Sequence, residues 1–145
     1  MSSRLLMIAV AACALQAFGT HGLRAQPKLD FQYFVKRVEP IFLQKRAGHT
    51  RCYVCHAQSN NALHLEKLAP GSRSWTEEQS RKNFAAVSLL ANPGDPGTSR
   101  LLLHPLAPEG GGDVYHSGGR QFANKNDPAF KILSQWIMGA TLGGR

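Results

Sequence analysis

From Asp30 to Arg46 the apolar side chains Phe31, Phe34, Val35, Val38, Ile41 and Phe42 recur at three- and four-residue steps. That spacing lines one face of a helix, and Asp30 stands where a capping side chain belongs. Pro40 lies inside the stretch. It has no N–H to give and its ring crowds the carbonyl four residues back, so the pattern predicts a kink or a break there. A second helix is predicted from about Trp75 to Leu90, opened by a capping box of Ser74 with Glu77 or Thr76 with Gln79 and stopped by Asn92-Pro93-Gly94. A third runs from Pro128 to Ala140, with Asp127 as its cap and Pro128 in its first turn. Phe130, Leu133, Trp136, Ile137 and Ala140 form its apolar face, and Gly143-Gly144 lies beyond its end.

Two long connections separate these elements. Residues 58–74 contain a short Leu63-His64-Leu65 alternation that could make a strand, though nothing forces one. Residues 92–127 are rich in glycine and proline and carry a Leu101-Leu102-Leu103 insert that must be buried somewhere. A connection of that length in a small domain is usually functional or wrapped around something. The fold expected is all-α, with about three main helices and long loops.

The first 25 residues read as an export signal rather than as part of the fold. Arg4 supplies the positive charge, and Leu5 to Phe18 is apolar apart from Gln16. This run is shorter than the ~20 residues of a comfortable bilayer span. Cleavage fits at Ala17-Phe18-Gly19 or after Ala25, and an uncleaved anchor is the alternative. Val10-Ala11-Ala12-Cys13 resembles a lipoprotein box. The apolar stretch before Cys13 is short, however, and the residues after it stay apolar, so loss of Cys13 with the signal is favoured over a lipid anchor. One domain, residues 26–145, remains, with no apolar stretch long enough to cross a membrane.

Charge narrows the partners. The chain has 17 Lys and Arg against 9 Asp and Glu, a formal charge of +8. Loss of residues 1–25 removes Arg4 and Arg24 and leaves +6. The bases are scattered rather than gathered on one helix, which together with export argues against nucleic acid. They suit a solvated surface, or steering toward an acidic partner or an anionic membrane face. Only Cys52 and Cys55 survive beyond the signal.

Those two cysteines carry the chemistry. Cys52-Tyr53-Val54-Cys55-His56 is C-x-x-C-H, the attachment sequence of c-type haem. Two cysteines three apart on one helical turn point the same way, so their sulfurs can add to the two vinyl groups on one porphyrin edge. His56 is then held under the iron. A zinc site would need two more ligands at matching spacing, and His49, His64, His104 and His116 are scattered. A thioredoxin-like pair would sit in a βαβ context that this pattern lacks. A single motif implies one covalent haem c.

The chain resembles class I-like single-haem c-type cytochromes, and in particular the exported cytochrome c domains of planctomycete and acidobacterial style. The residues that carry the likeness are Phe34 to Phe42 (FVKRVEPIF), Asn92 to Leu103 (NPGDPGTSRLLL) and Asp127 to Ala140 (DPAFKILSQWIMGA), beside the motif itself. The resemblance implies a cytochrome c-like fold wrapped around the haem, and electron transfer.

Class I cytochromes usually bring a methionine to the other face of the iron. Here Met1 and Met7 fall in the signal and Met138 lies on the last helix, where it would have to turn out of the packing. The connection that should carry the ligand offers His116, between Gly110-Gly111-Gly112 and Gly118-Gly119, and His104, held extended before Pro105. His116 is the expected distal ligand, because flanking glycines let backbone approach a flat porphyrin; His104 is the alternative. His49 is too near His56 in sequence to reach the opposite face, and His64 reads as a loop residue. Leu63, Leu65, Leu68, Trp75 and Phe84 are expected pocket walls, and the Pro70 carbonyl is the expected acceptor for the second ring nitrogen of His56.

Bis-histidine ligation places a haem low on the potential scale relative to Met/His. The function expected is a one-electron carrier in the periplasm or beyond, serving redox partner proteins, with no catalytic residues. The sequence does not separate a free carrier from a subunit of a respiratory or photosynthetic complex. The competing reading is a peroxidase-like haem enzyme or gas-binding protein with an open iron position, for which Arg120 and the histidines could be recruited.

Overall fold

A computed structural model describes residues 25–144. The expected export signal and Cys13 therefore lie outside the described residues, apart from Ala25. The elements are α1 (Phe31–Tyr33), a π-helical stretch (Phe34–Val38), α2 (Glu39–Leu43), α3 (Cys52–His56), α4 (Glu77–Ser88), α5 (Arg100–Leu103), a 3₁₀ turn (Pro108–Gly110) and α6 (Pro128–Ile137). Among the described residues β structure is limited to isolated bridges, Leu106 with Phe122 the longest in range. The all-α expectation holds at this level, and the Leu63-His64-Leu65 alternation forms no strand. None of the described helices is long and apolar enough to cross a membrane.

The first helical stretch does not break at Pro40. Asp30 caps it, its carboxylate accepting the Tyr33 N–H at 2.6 Å. Instead of breaking, the turn ahead of the proline widens, with the Glu39 N–H reaching back five residues to the Phe34 carbonyl. A wider turn accommodates the missing N–H and the crowded carbonyl, the usual remedy for such a conflict within a helix. It buries Phe34 and Val38 and carries Glu39, Ile41 and Phe42 inward as well.

The second helix starts at the later of the two expected boxes. Thr76 Oγ1 accepts the Gln79 N–H and Gln79 Oε1 accepts the Thr76 N–H. Asp127 caps α6, accepting from the N–H groups of Ala129 at 2.9 Å and Phe130 at 3.4 Å. That helix ends at Ile137 and not at Ala140. Its stop is Gly139, at φ +88°, where a Cβ would stand 2.7 Å from Pro27; the close packing of the N-terminal segment, invisible in the helical pattern, sets the end.

Aromatic rings join the three principal helical regions. Phe34 meets Trp136 at 5.4 Å and Phe84 at 5.3 Å, and Phe31 meets Phe84 at 5.4 Å. Such edge and tilted contacts contribute beyond the area they bury. The Trp136 Nε1–H donates to the Asp30 carbonyl, so even the indole nitrogen is satisfied.

The long 92–127 connection is compact. Ser99 Oγ donates to the Asp95 carbonyl and accepts from Asn92 N–H, closing the first loop. The leucine insert becomes α5, with Leu101 and Leu102 buried. Ala107 N–H donates to Phe122 O, and Phe122 N–H to Pro105 O, tying the ends of the glycine-rich loop. At Gly112 a Cβ would lie 2.0 Å from the Leu106 carbonyl oxygen, so only glycine fits that crossing.

Candidate functional site

A largely apolar cleft opens between α2, α3, α5 and α6. Its apolar walls come from α2 (Ile41, Phe42), from Leu90 and Leu101, from Phe122 and from Leu133 of α6. Its polar side holds Cys52, Cys55 and His56 of α3, His104 and His116, with Arg51, Arg100 and Gln121. A second lobe reaches from His56 and Leu63 toward Asn61 and Ser117.

The structure thus brings together residues that the sequence keeps some sixty apart. Cys52 is partly buried and Cys55 exposed, both as free thiols. Burial is the main influence on Cys52 and pushes its thiol up; Arg46 pulls the other way.

The two expected ligands are arranged alike. His56 Nδ1 lies 2.8 Å from the Leu63 carbonyl, and His116 Nδ1 lies 2.6 Å from the Gly119 carbonyl. A carbonyl only accepts, so each ring carries its proton on Nδ1 and keeps a lone pair on Nε2. Asn61 Oδ1, at 3.3 Å, is a second neighbour of His56 Nδ1. The two ring centroids lie 6.3 Å apart, with planes 17° from parallel. Two imidazoles bound in line to one transition-metal ion through nitrogens at about 2.0–2.1 Å would have ring centres about 6–6.5 Å apart. The observed separation meets that requirement. Burial lowers the pKa of His116 below the ordinary histidine value, with the charges of His104 and His56 adding to this and the Gly119 carbonyl opposing it. A neutral ring is the form that ligates.

His104 also lines the cleft, but on different terms. Its Nδ1 bonds Asp113 Oδ2 at 2.9 Å, and its ring meets that of His116 edge-on at 5.0 Å and 75°. It stands edge-on beside His116. His64 is tied to the Ser59 carbonyl, and Met138 is exposed on the far end of α6.

Several expectations need correction. The acceptor for His56 is Leu63 O and not Pro70, because the chain turns back immediately after α3. Of the expected wall residues, Leu63 lines the cleft. Leu65, Trp75 and Phe84 do not; they are taken up by the core, where Leu65 is fully buried, Trp75 donates to the Glu66 carbonyl and Phe84 sits against Trp136. Leu68 likewise packs on that core. Gly119, at φ +83°, closes the turn after His116 by donating its N–H to the His116 carbonyl.

Gln121 went unremarked in the sequence. It is buried, and its Nε2 donates to Thr50 O at 3.2 Å and Gly118 O at 3.1 Å. One amide thus ties the residue before Arg51-Cys52 to the loop of His116. No sequence spacing announces such a bridge. Among the described residues no three His, Cys, Asp or Glu side chains converge as a chelate for a bare ion. No protein-family model, no curated protein and no solved structure matches the chain.

Proposed function

We propose that this protein is a single-haem c-type cytochrome, with a cytochrome c-like fold, that carries single electrons between redox partners outside the cytoplasm. The observation that supports it most is the pairing across an apolar cleft of the C-x-x-C-H turn with His116, at a ring separation of 6.3 Å. Haem, when bound, supplies a reversible one-electron iron couple.

The residues divide the work. Cys52 and Cys55 fasten the porphyrin edge through thioethers. His56 and His116 would hold the iron through Nε2, each ring oriented by its Nδ1–H bond to a backbone carbonyl, which also raises ligand basicity. Ile41, Phe42, Leu101 and Leu133 exclude water from the ring. Arg51 and Arg100 on the wall supply positive charge for the propionates. Two imidazoles favour the oxidised form, so the potential sits low among c-type cytochromes. His56 and His116 would both be engaged in holding the haem, and the chemistry it would supply there is one-electron transfer.

The test is expression with a periplasmic haem-attachment system. The expected product keeps its haem on a denaturing gel, shows a six-coordinate low-spin ferric spectrum, and binds no carbon monoxide when reduced. A chain that acquires no covalent haem refutes the reading. A high-spin ferric protein that binds carbon monoxide readily would replace the carrier with an enzyme or gas-binding protein.

A further inference from the structure

Glu39 has no part in the site described above, yet it is only 6% exposed. Its Oε2 accepts a hydrogen bond from Ser80 Oγ at 3.0 Å, while Oε1 has no partner. Asn83 beside it is fully buried; its Oδ1 is taken by the Glu66 N–H, and its Nδ2 has no bond of good geometry. A charged carboxylate with a bare, buried oxygen is costly, and the neutral acid is far less so. Accordingly burial pushes the Glu39 carboxyl above the ordinary glutamate value, with Ser80 and Asn83 pulling it back.

Two further features give this carboxyl a use. Glu39 lines a cavity, separate from the cleft, that opens to solvent past Lys36, Pro40, Arg73 and Trp75. Protons can therefore reach it. Ile41 and Phe42, two and three residues along the same helical stretch, line the cleft. A helix with its side chains is about 10–12 Å across, so Glu39 and the contents of the cleft are separated by roughly one helix through protein, with little water to screen them. The other groups around Glu39 are Lys36 on its own stretch, Arg73 ahead of α4, and the uncharged Ser80 and Asn83 on α4. Beyond Asn83, which accepts from the Glu66 N–H, the Glu66 carboxylate has Lys82 at 4.0 Å.

We propose that Glu39 is a redox-linked proton site, so that the protein carries a proton together with its electron. This rests on the haem reading above. As a one-electron donor protein reduces the iron, the added negative charge favours the neutral acid. Glu39 then forms an O–H bond with a proton taken from water through the cavity. When the electron leaves to the acceptor, that O–H bond breaks and the proton returns to solvent. One electron and one proton enter, and one of each leaves.

The experiment is a spectroelectrochemical titration of the haem-loaded protein from about pH 4 to about pH 9, beyond the ordinary carboxylate range on the alkaline side. The midpoint potential of the wild type should fall with rising pH over part of that range. In Glu39→Gln that segment should vanish, leaving the potential at the wild type's low-pH plateau. A redox-difference infrared spectrum supplies an independent reading. Reduction at pH values inside the sloping segment should add a protonated-carboxyl C=O band in the wild type. The same pH–potential curve in both proteins, or reduction there without that band, overturns the proposal; the infrared arm decides alone should the variant fail to fold. A haem-loaded chain with a pH-independent potential overturns this proposal only, whereas a chain that takes up no haem overturns both it and the reading beneath it.

Discussion

The ion pair of Arg46 with Asp127 lends itself to a quantitative test. Asp127 has two duties: it caps α6 through Ala129 and Phe130, and it accepts both guanidinium nitrogens of Arg46, Nη1 at 3.4 Å and Nη2 more closely. The pair is about four-fifths buried. Arg46 also lies over the Phe122 ring at 5.2 Å, and Phe122 is cleft wall, so the pair fastens the back of the site. Loss of an aspartate cap costs about 1 kcal/mol, and a partly buried forked pair adds about 0.5–1 kcal/mol. Asp127→Ala should therefore cost about 2 kcal/mol. Asp127→Asn should cost less than 1 kcal/mol, because asparagine caps nearly as well. For a domain of this size the alanine variant should lose about 5–10 °C in Tm. Burial pushes the Asp127 carboxyl up, but Arg46 and the two N–H groups outweigh it and hold the value below the ordinary aspartate range. Its contribution is complete above the unfolded-state value near 3.9 and is lost as pH falls through the lower folded-state value. Urea titrations followed by far-UV circular dichroism, at neutral pH and at successively lower pH, measure both effects. The gap between wild type and Asp127→Asn should close below the aspartate range, and Arg46→Met should be non-additive with Asp127→Asn. Equal losses in the asparagine and alanine variants would refute the capping share. A gap unchanged by acid would refute the ionic share.

His116→Ala should open the distal position, giving a high-spin or water-ligated ferric spectrum and new affinity for carbon monoxide, while His104→Ala should stay low-spin; the reverse outcome would make His104 the ligand. Gly112→Ala drives a Cβ to 2.0 Å from the Leu106 oxygen. It should cost about 3 kcal/mol or more, read as a lowered urea midpoint, and an unchanged midpoint would show that the loop relaxes freely around that crossing.

The helices and their starts were legible in the sequence because they are local facts. Asp30, Thr76 and Asp127 each cap the turn they begin. The C-x-x-C-H turn was equally plain, since five consecutive residues hold it. What the sequence hid depends on distant partners. Pro40 signalled a conflict but not its resolution, a widened turn whose Phe34 packs against Trp136. Leu65, Trp75 and Phe84 carry the same apolar character as true wall residues, and only the tertiary arrangement assigns them to the core. The glycines near His116 marked a tight loop, and in the structure they shape turns and a backbone crossing. The near-parallel pairing of His116 with His56 and the edge-on stance of His104 go with the bonds to Gly119 and Asp113, which join residues three and nine positions apart.

Gln121 reaches the two halves of the site through main-chain carbonyls alone. The demands of that bridge on the sequence are therefore unequal. Position 121 must carry a side-chain amide of this length, whereas Thr50 contributes nothing that its side chain determines and can be exchanged widely without loosening the tie. Position 118 is less free, because a Cβ there would come within 3.1 Å of the His116 ring. Variation among natural versions of this chain should accordingly be broad at 50, narrow at 118 and narrowest at 121, although none of the three is a ligand.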